Sequence, residues 1–210
     1  MPARPQKPSS VTPSSRDQLL QTAISLFSER GFEGASVNDI VNRAGVSKRM
    51  VYHYFTNKAL LYQEALFFAF SELAKMEHQA VESADDLAHA VKNLVRVYFD
   101  FPRQHPEFSR LLRWENLNEG KGIQDSKFPL SKDHVIKFLR AAIKREASTN
   151  AWRPDLEASQ LLISIIGISQ VYTSHRYTLS QGLHRDLGSA ASIKRGIANA
   201  EHHLLAGMRA

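Results

Sequence analysis

Hydrophobic residues recur at intervals of three and four along most of the chain, which is the spacing of one face of an α-helix. The first such face is formed by Leu20, Ala23, Ile24 and Phe27. No stretch has the alternation of hydrophobic and polar residues that marks a half-buried β-strand. The pattern therefore predicts an all-α protein.

Residues that start and stop helices divide the first third of the chain. Ser15 is expected to cap the first helix, and Gly31 is expected to end it in the left-handed conformation. Ser36 and Asp39 have the spacing of a capping box. This box predicts a second helix that runs to about Ala44.

A glycine turn separates the second predicted helix from a third. Gly45 ends the second helix, Ser47 is expected to cap a third helix ending near Phe55, and Asn57 is expected to cap a much longer fourth one. Two short helices joined in this way are typical of a helix-turn-helix motif. The later pattern predicts helices over 83–101, 105–117, 131–147, 155–178 and 189–207, with a loop over 120–129.

The third predicted helix has one side for the core and one for a partner. Val51, Tyr54 and Phe55 fall on the side that faces the first two helices. The opposite side carries Lys48, Arg49, Tyr52 and His53. Arginine can bind guanine through two hydrogen bonds, and lysine and tyrosine reach phosphate oxygens. This side therefore predicts a DNA-binding surface.

Composition narrows the class of protein. The net charge is +6, and residues 1–60 hold eight Lys/Arg against four Asp/Glu, so the positive excess is densest there. The absence of cysteine excludes a disulfide scaffold, a thiolate zinc site and a cysteine nucleophile. No secretory signal pattern opens the sequence, and the apolar run 161–172 is too short and too polar to span a bilayer. A cytoplasmic location is expected.

The first 14 residues have a different composition from the rest. They contain four prolines and no hydrophobic periodicity, which predicts a flexible arm. Arg4 and Lys7 lie in this arm. The arm is either a solvated tail or a basic segment that follows a DNA groove.

Four short motifs mark residues 15–66. They are Ser-x-x-Asp-Ile at 36–40, Ala-Gly-Val-Ser at 44–47, Tyr-x-Tyr-Phe at 52–55 and Lys-x-x-Leu at 58–61. Together they resemble the DNA-binding domain of TetR-family transcriptional regulators. The resemblance implies DNA contacts from Ser36, Ser47, Lys48, Arg49, Met50, Tyr52, His53 and Lys58. Arg49 stands where the family often has glycine.

The resemblance also implies that the second half binds a small molecule and forms a homodimer. The candidate effector-pocket residues are Phe68, Phe99, Trp114, Glu115, Asn116, Tyr172, His175 and Arg176. The rings among them could equally fill the core, and the polar groups could bond to one another or to water. The candidate dimer-interface residues, on the last two long helices, are Ile166, Ser169, Ile193, Ile197, Ala200 and Leu204.

These features together predict a sequence-specific transcriptional regulator, most simply a repressor released from a palindromic double-stranded operator by a small-molecule effector. The expected domains are an arm over 1–14, a three-helix helix-turn-helix domain over 15–57, and an effector-binding and dimerisation bundle over 58–210, entered through the long fourth helix. The alternatives are an architectural DNA-binding protein without an effector and, less favoured, an enzyme. No catalytic, cofactor or metal motif is found in the sequence.

Overall fold

The computed structural model describes residues 14–124, 126–128 and 130–210. The predicted arm, apart from Ser14, lies outside this range. The described residues form helices, one 3₁₀ turn at Ala147–Thr149 and an isolated bridge between Trp152 and Arg209. The all-α prediction is thus confirmed. The helices are α1 (Ser15–Gly34), α2 (Val37–Ala44), α3 (Lys48–Phe55), α4 (Lys58–Glu82), α5 (Leu87–Gln104), α6 (Pro106–Leu117), α7 (Lys121–Gln124), α8 (Asp133–Glu146), α9 (Ala158–Ser174), α10 (Arg176–Gly182) and α11 (Ala190–Met208).

The helix starts follow the predicted capping chemistry with two differences, one at α1 and one at α3, where Ser47 makes no side-chain capping hydrogen bond. Ser14, and not Ser15, caps α1, and its hydroxyl accepts a hydrogen bond from the Asp17 amide. The capping box of Ser36 and Asp39 is present at the start of α2. Asn57 caps α4 by accepting from the amide of Leu60.

Gly31 does not end α1 as predicted. Its φ of 71° is positive, but its ψ of 179° is outside the left-handed helical region, and the helix resumes as far as Gly34. This combination of angles is accessible essentially only to glycine. The ring of Trp114 on α6 covers the site, because a Cβ atom on Gly31 would lie 2.9 Å from Trp114 Cε3. The kink lets two helices approach closely.

Three later boundaries also differ from the prediction. The helix predicted over 83–101 is α5, which begins at Leu87 and continues through Pro102 to Gln104. The predicted loop over 120–129 contains the short helix α7, and the predicted helix over 155–178 is interrupted at His175, which separates α9 from α10. The hydroxyls of Thr173 and Ser174 both bond to the carbonyl of Gln170. Such side-chain bonds compete with the backbone ladder and bend helices.

A continuous hydrophobic core runs from α1 to α11. The long helix α4 packs on α1 and α3 near its start and on α5 and α8 further along. Helix α6 packs extensively on α1, and Trp114 Nε1 donates to the carbonyl of Ser28 at 3.2 Å. The predicted DNA-binding half and effector half are thus in direct contact. The domain boundary between residues 57 and 58 remains a prediction.

Among the described residues, no helix is long and apolar enough to cross a membrane.

Candidate nucleic-acid interface and effector cavity

The turn between α2 and α3 positions the candidate recognition helix. Gly45 adopts the left-handed conformation, with φ 67° and ψ 30°. The amide of Val46 then bonds to the carbonyl of Val41 at 3.1 Å, which closes the end of α2. On α3, Val51 and Phe55 are buried at 0% and 2% exposure. These anchors fix which face of α3 points outward.

The outward face of α3 is exposed, and its side chains have no polar partners among the described residues. Lys48, Arg49, Tyr52 and His53 are all exposed, with Tyr52 at 50%. Within the described residues, none of the four side chains takes part in an ion pair or a hydrogen bond. His53 makes only an edge contact with the ring of Tyr54. The donors and positive charges on this face are available to a partner.

The arginines of α1 and α2 are arranged differently. Arg43 pairs with Glu29 at 3.0 Å, and Arg30 approaches Asp39 at 3.5 Å. The hydrogen bond from Arg43 holds the pKa of the Glu29 carboxyl below its usual range. Arg16 also pairs with Glu64. The positive charge of this half is therefore neutralised on α1 and α2 and left open on α3.

Two serines with the same predicted role differ in the structure. The Ser36 hydroxyl lies 2.8 Å from the Asp39 carboxylate and accepts from the Asp39 amide, so it is committed to the capping box. Ser47 begins α3 but makes no capping hydrogen bond through its side chain. The Ser47 hydroxyl is therefore freer to meet a phosphate than that of Ser36.

The remaining predicted DNA contacts lie at the edges of this surface. Met50 is half-buried against the core, so only part of its side chain faces outward. Lys58 is half-buried at the start of α4, with its Nζ 4.4 Å from the centroid of the Phe32 ring. This cation–π contact holds the ammonium group beside the first turn of α4.

The eight predicted effector-pocket residues do not share one cavity. Trp114 packs on Gly31, Asn116 is exposed, and His175 is exposed and bonds to Ser174. Phe68 packs edge-on against Phe108. These side chains are engaged in separate local contacts on α4, on α6 and at the end of α9.

Glu115 does line a cavity, at the junction of the two halves. The cavity has a volume of about 420 Å³ and is lined by Phe32, Glu33, Ala59, Tyr62, Gln63, Glu115, Asn118, Lys121 and Gly122. The Glu115 carboxylate is 1% exposed and accepts from the Tyr62 hydroxyl and the Ile123 amide, both at 2.9 Å. Burial, reinforced by the neighbouring Glu115, raises the pKa of the Tyr62 hydroxyl well above its usual range. Tyr62 therefore remains a donor.

The sequence gives little sign of the other residues around this cavity. Tyr62 and Gln63 follow the helical pattern of α4, and Gly122 lies in the segment predicted to be a loop. A Cβ atom on Gly122 would lie 2.7 Å from Tyr62 Cε1 and 2.9 Å from Glu115 Oε2. Gly122 is thus needed for α7 to approach α4 so closely.

Tyr172 and Arg176 line a second, smaller cavity of about 280 Å³. Arg103, Arg110 and Arg113 contribute to the same wall. Phe99 is buried behind it, with its ring centroid 5.0 Å from that of Tyr172. This arginine-rich cavity is of a kind that suits an acidic group.

The predicted dimer-interface residues mostly face inward within one subunit. Ser169 and Ala200 are 0% exposed, Ile193 is 4% and Leu204 is 7%. Ile166 and Ile197 are half-buried and pack on the same core. These side chains serve the packing of α9 and α11 on α5 within one subunit, and their part in a dimer interface remains a prediction. The exposed face of α9 carries Ile163 at 58% and Val171 at 37%.

The fold and the α2–turn–α3 geometry define a helix-turn-helix DNA-binding protein. Residues 19–65 match the family described as "Bacterial regulatory proteins, tetR family", and residues 88–200 match "Tetracyclin repressor-like, C-terminal domain". The second match alone spans more than half of the chain. The chain belongs to the TetR family of transcriptional regulators. The family and the curated relatives are regulators rather than enzymes.

Three known proteins show the range of the similarity. The transcriptional repressor NicS of Pseudomonas putida is 29% identical over 173 residues, which cover 82% of each chain. The transcriptional activator FasR of Mycolicibacterium smegmatis is 27% identical, over 83% of this chain and 77% of its own. The structure of the ketosteroid regulator KstR2 of Mycobacterium tuberculosis has a TM-score of 0.67 at 20% identity, covering 97% of this chain and 100% of its own. That structure supports the fold.

Proposed function

We propose that this protein is a cytoplasmic repressor that binds a palindromic operator as a twofold dimer and is released by a small-molecule effector. Members of the family bind operator DNA and small molecules and act as dimers. The observation that carries the DNA-binding part is the outward face of α3. Its cations and its tyrosine hydroxyl are exposed, and these side chains form no ion pair or hydrogen bond with the described residues. Such groups supply phosphate and base contacts in the major groove.

The dimer proposal rests on the exposed faces of the last long helices. Ile163, Gly167 and Val171 lie on one exposed side of α9, where an apolar side chain next to a glycine allows another helix to approach. Pairing of α9 and α11 with their copies would give a twofold interface. Two recognition helices related in this way can read half-sites about 34–36 Å apart.

The effector proposal rests on the cavity beside Glu115. Its walls come from α1 and α4 on one side and from α6 and α7 on the other. Gln63 is 8% exposed in this wall, and its side chain makes no hydrogen bond with the described residues. Phe32 and Tyr62 supply aromatic surface. We expect an effector with an apolar body and a hydrogen-bond donor or positive charge directed at Glu115.

A ligand in this cavity would alter how α4 and α6 sit against α1, and with them the recognition helix. A coupling of about 1–3 kcal/mol between two sites corresponds to a roughly 5–150-fold change in operator affinity.

A gel-shift assay on the upstream region of the gene tests the DNA-binding proposal. We expect tight, saturable binding to one palindromic segment and much weaker binding to a scrambled segment of equal length. Equal affinity for both would favour an architectural DNA-binding protein without an effector. The same assay, repeated with a panel of small amines and acids, identifies effectors by release of the operator.

The Glu115→Gln variant tests which of the two cavities binds the effector. It keeps the size of the side chain and removes its charge. For an effector that releases the wild-type protein, we expect the variant to lose most of the response and Arg176→Ala to retain it. The reverse result would place the effector in the arginine-rich cavity. Thermal unfolding of both variants checks that each remains folded.

A further inference from the structure

Three side chains that can bind a metal meet where α4 and α8 come together. His78 and Glu82 lie one helical turn apart on α4, and His134 lies in the first turn of α8. His78 Nδ1 is 2.6 Å from His134 Nε2, and His78 Nε2 is 3.1 Å from Glu82 Oε1. One ligand atom from each residue lies within 4.8 Å of the other two.

We propose that His78, Glu82 and His134 bind a divalent transition-metal ion, with Zn²⁺ as the reference ion. Two imidazoles and one carboxylate form a donor set that Zn²⁺ binds with Zn–N and Zn–O distances of about 2.0–2.2 Å. Mg²⁺ and Ca²⁺ prefer oxygen ligands only, so they do not match this set. All three side chains are exposed, and rotation about their side-chain bonds can bring the ligand atoms to these distances.

The surroundings of the three residues suit a bound cation. The neighbouring lysines are already paired: Lys75 with Glu72, and Lys132 with the buried Glu77. An open groove of about 410 Å³ lies beside the two histidines. The groove leaves room for water to complete the coordination that three protein ligands leave open.

The ion would link α4 to α8 close to a polar contact made by the buried Glu77. Glu77 accepts hydrogen bonds from Tyr98 on α5 and from Lys132, the residue before α8. A metal bound by His78 and His134 would connect α4 and α8 at the protein surface. It would therefore stabilise the packing of α8 on α4 and raise the thermal unfolding temperature.

The site could not be predicted from the sequence, because its three candidate ligands are not close together along the chain. The spacing of His78 and Glu82 is visible in the sequence, but His134 follows 56 residues after His78. Another pair, Asp85 and His89, has the same spacing and a separation of 3.6 Å. Among the described residues it belongs to no group of three metal-binding side chains. It provides a matched control.

The test is a calorimetric titration of the full-length, tag-free, metal-stripped protein with Zn²⁺. We expect binding of one ion per chain by the wild type. His134→Ala should weaken this binding at least tenfold, and Glu82→Gln should also weaken it. His89→Ala should leave it unchanged. Mg²⁺ should not compete at equal concentration.

A second readout is the thermal unfolding temperature with and without Zn²⁺. We expect an increase in the wild type and in His89→Ala, and none in His134→Ala. The proposal is overturned if the wild type binds no Zn²⁺, or if His134→Ala and His89→Ala bind it equally. Because the three side chains are exposed, circular dichroism should confirm that every variant is folded.

Discussion

The Arg49 side chain projects from α3 and forms no ion pair or hydrogen bond with the described residues, so it can be removed without disturbing the fold. We expect Arg49→Ala to leave the free energy of unfolding within about 0.5 kcal/mol of the wild type. If Arg49 reads guanine, operator affinity should fall by about 1–3 kcal/mol, and the loss should depend on one base position. Fluorescence anisotropy with base-substituted operators measures this effect.

A salt titration of the same variant tests the alternative role of Arg49, a contact with phosphate. An equal loss of affinity on every operator, together with a shallower dependence on salt, would mean that Arg49 contacts phosphate and does not read a base.

Single residues were predictable where the chemistry is local. A capping box involves residues three positions apart, so Ser36 and Asp39 could be identified from the sequence. The roles of Trp114 and Glu115 could not, because each depends on a residue more than 50 positions away: Ser28 for the first and Tyr62 for the second.

At the scale of elements, the kink in α1 is a contact point between the two halves. We expect Gly31→Ala to destabilise the protein. The backbone conformation alone should cost about 1–3 kcal/mol, and the new Cβ would in addition lie 2.9 Å from the Trp114 ring. Gly207→Ala is the control, since it lies in α11 with no atom near the new Cβ. Chemical denaturation measures both. Equal stability of Gly31→Ala and the wild type would contradict the prediction.

The N-terminus of α2 gives the protein an acid-sensitive element. Hydrogen bonds from the Ser36 hydroxyl and amide hold the pKa of the Asp39 carboxyl below its usual range. The folded state therefore binds fewer protons than the unfolded state as the pH falls. The resulting stability is present above about pH 4, the ordinary range of aspartate, and is lost as the pH falls through the folded-state pKa.

We expect Asp39→Asn to flatten this part of the dependence of stability on pH. The asparagine oxygen can still accept the amide hydrogen bond but does not titrate in this range. Urea denaturation from pH 6 to pH 3 measures the slope. Superimposable curves for the variant and the wild type would show that Asp39 contributes nothing to it.

Helices with strong hydrophobic periodicity were predictable from the sequence, and the boundaries between neighbouring helices were less so. The start of α4 and both ends of α6 were expected close to where they are observed, because each helix has a clear start signal. The break at His175 arises from two hydroxyl groups that bond to one carbonyl. Periodicity contains no information about that competition.

At the scale of the whole molecule, the inward-facing residues of α9 and α11 leave the opposite faces for a partner subunit. We expect Ile163→Asp to weaken dimerisation by about 2 kcal/mol or more, because a charge would replace an exposed apolar side chain at the proposed interface. Light scattering measures the change in mass. Leu117→Asp is the control, since Leu117 is 74% exposed on α6. An unaltered dimer in Ile163→Asp would place the interface elsewhere.

The sequence predicted which helices would be long and apolar but not which side of each would be buried within the subunit. Both sides of α9 contain isoleucine, with Ile165 buried and Ile163 exposed. Hydrophobicity alone cannot separate them, because the choice depends on where α5 and α11 lie. The fold class needed only local periodicity, whereas the interface needed the tertiary arrangement.

The outward face of α3 has a consequence for how such a protein can change over time. The side chains of Lys48, Arg49 and His53 form no ion pair or hydrogen bond with the described residues. The buried side chains of Val51 and Phe55 hold the helix in place on its opposite face. Replacing the first three residues should therefore cost little stability. New operator preferences can then arise by mutation, or be designed, without compensating changes in the core.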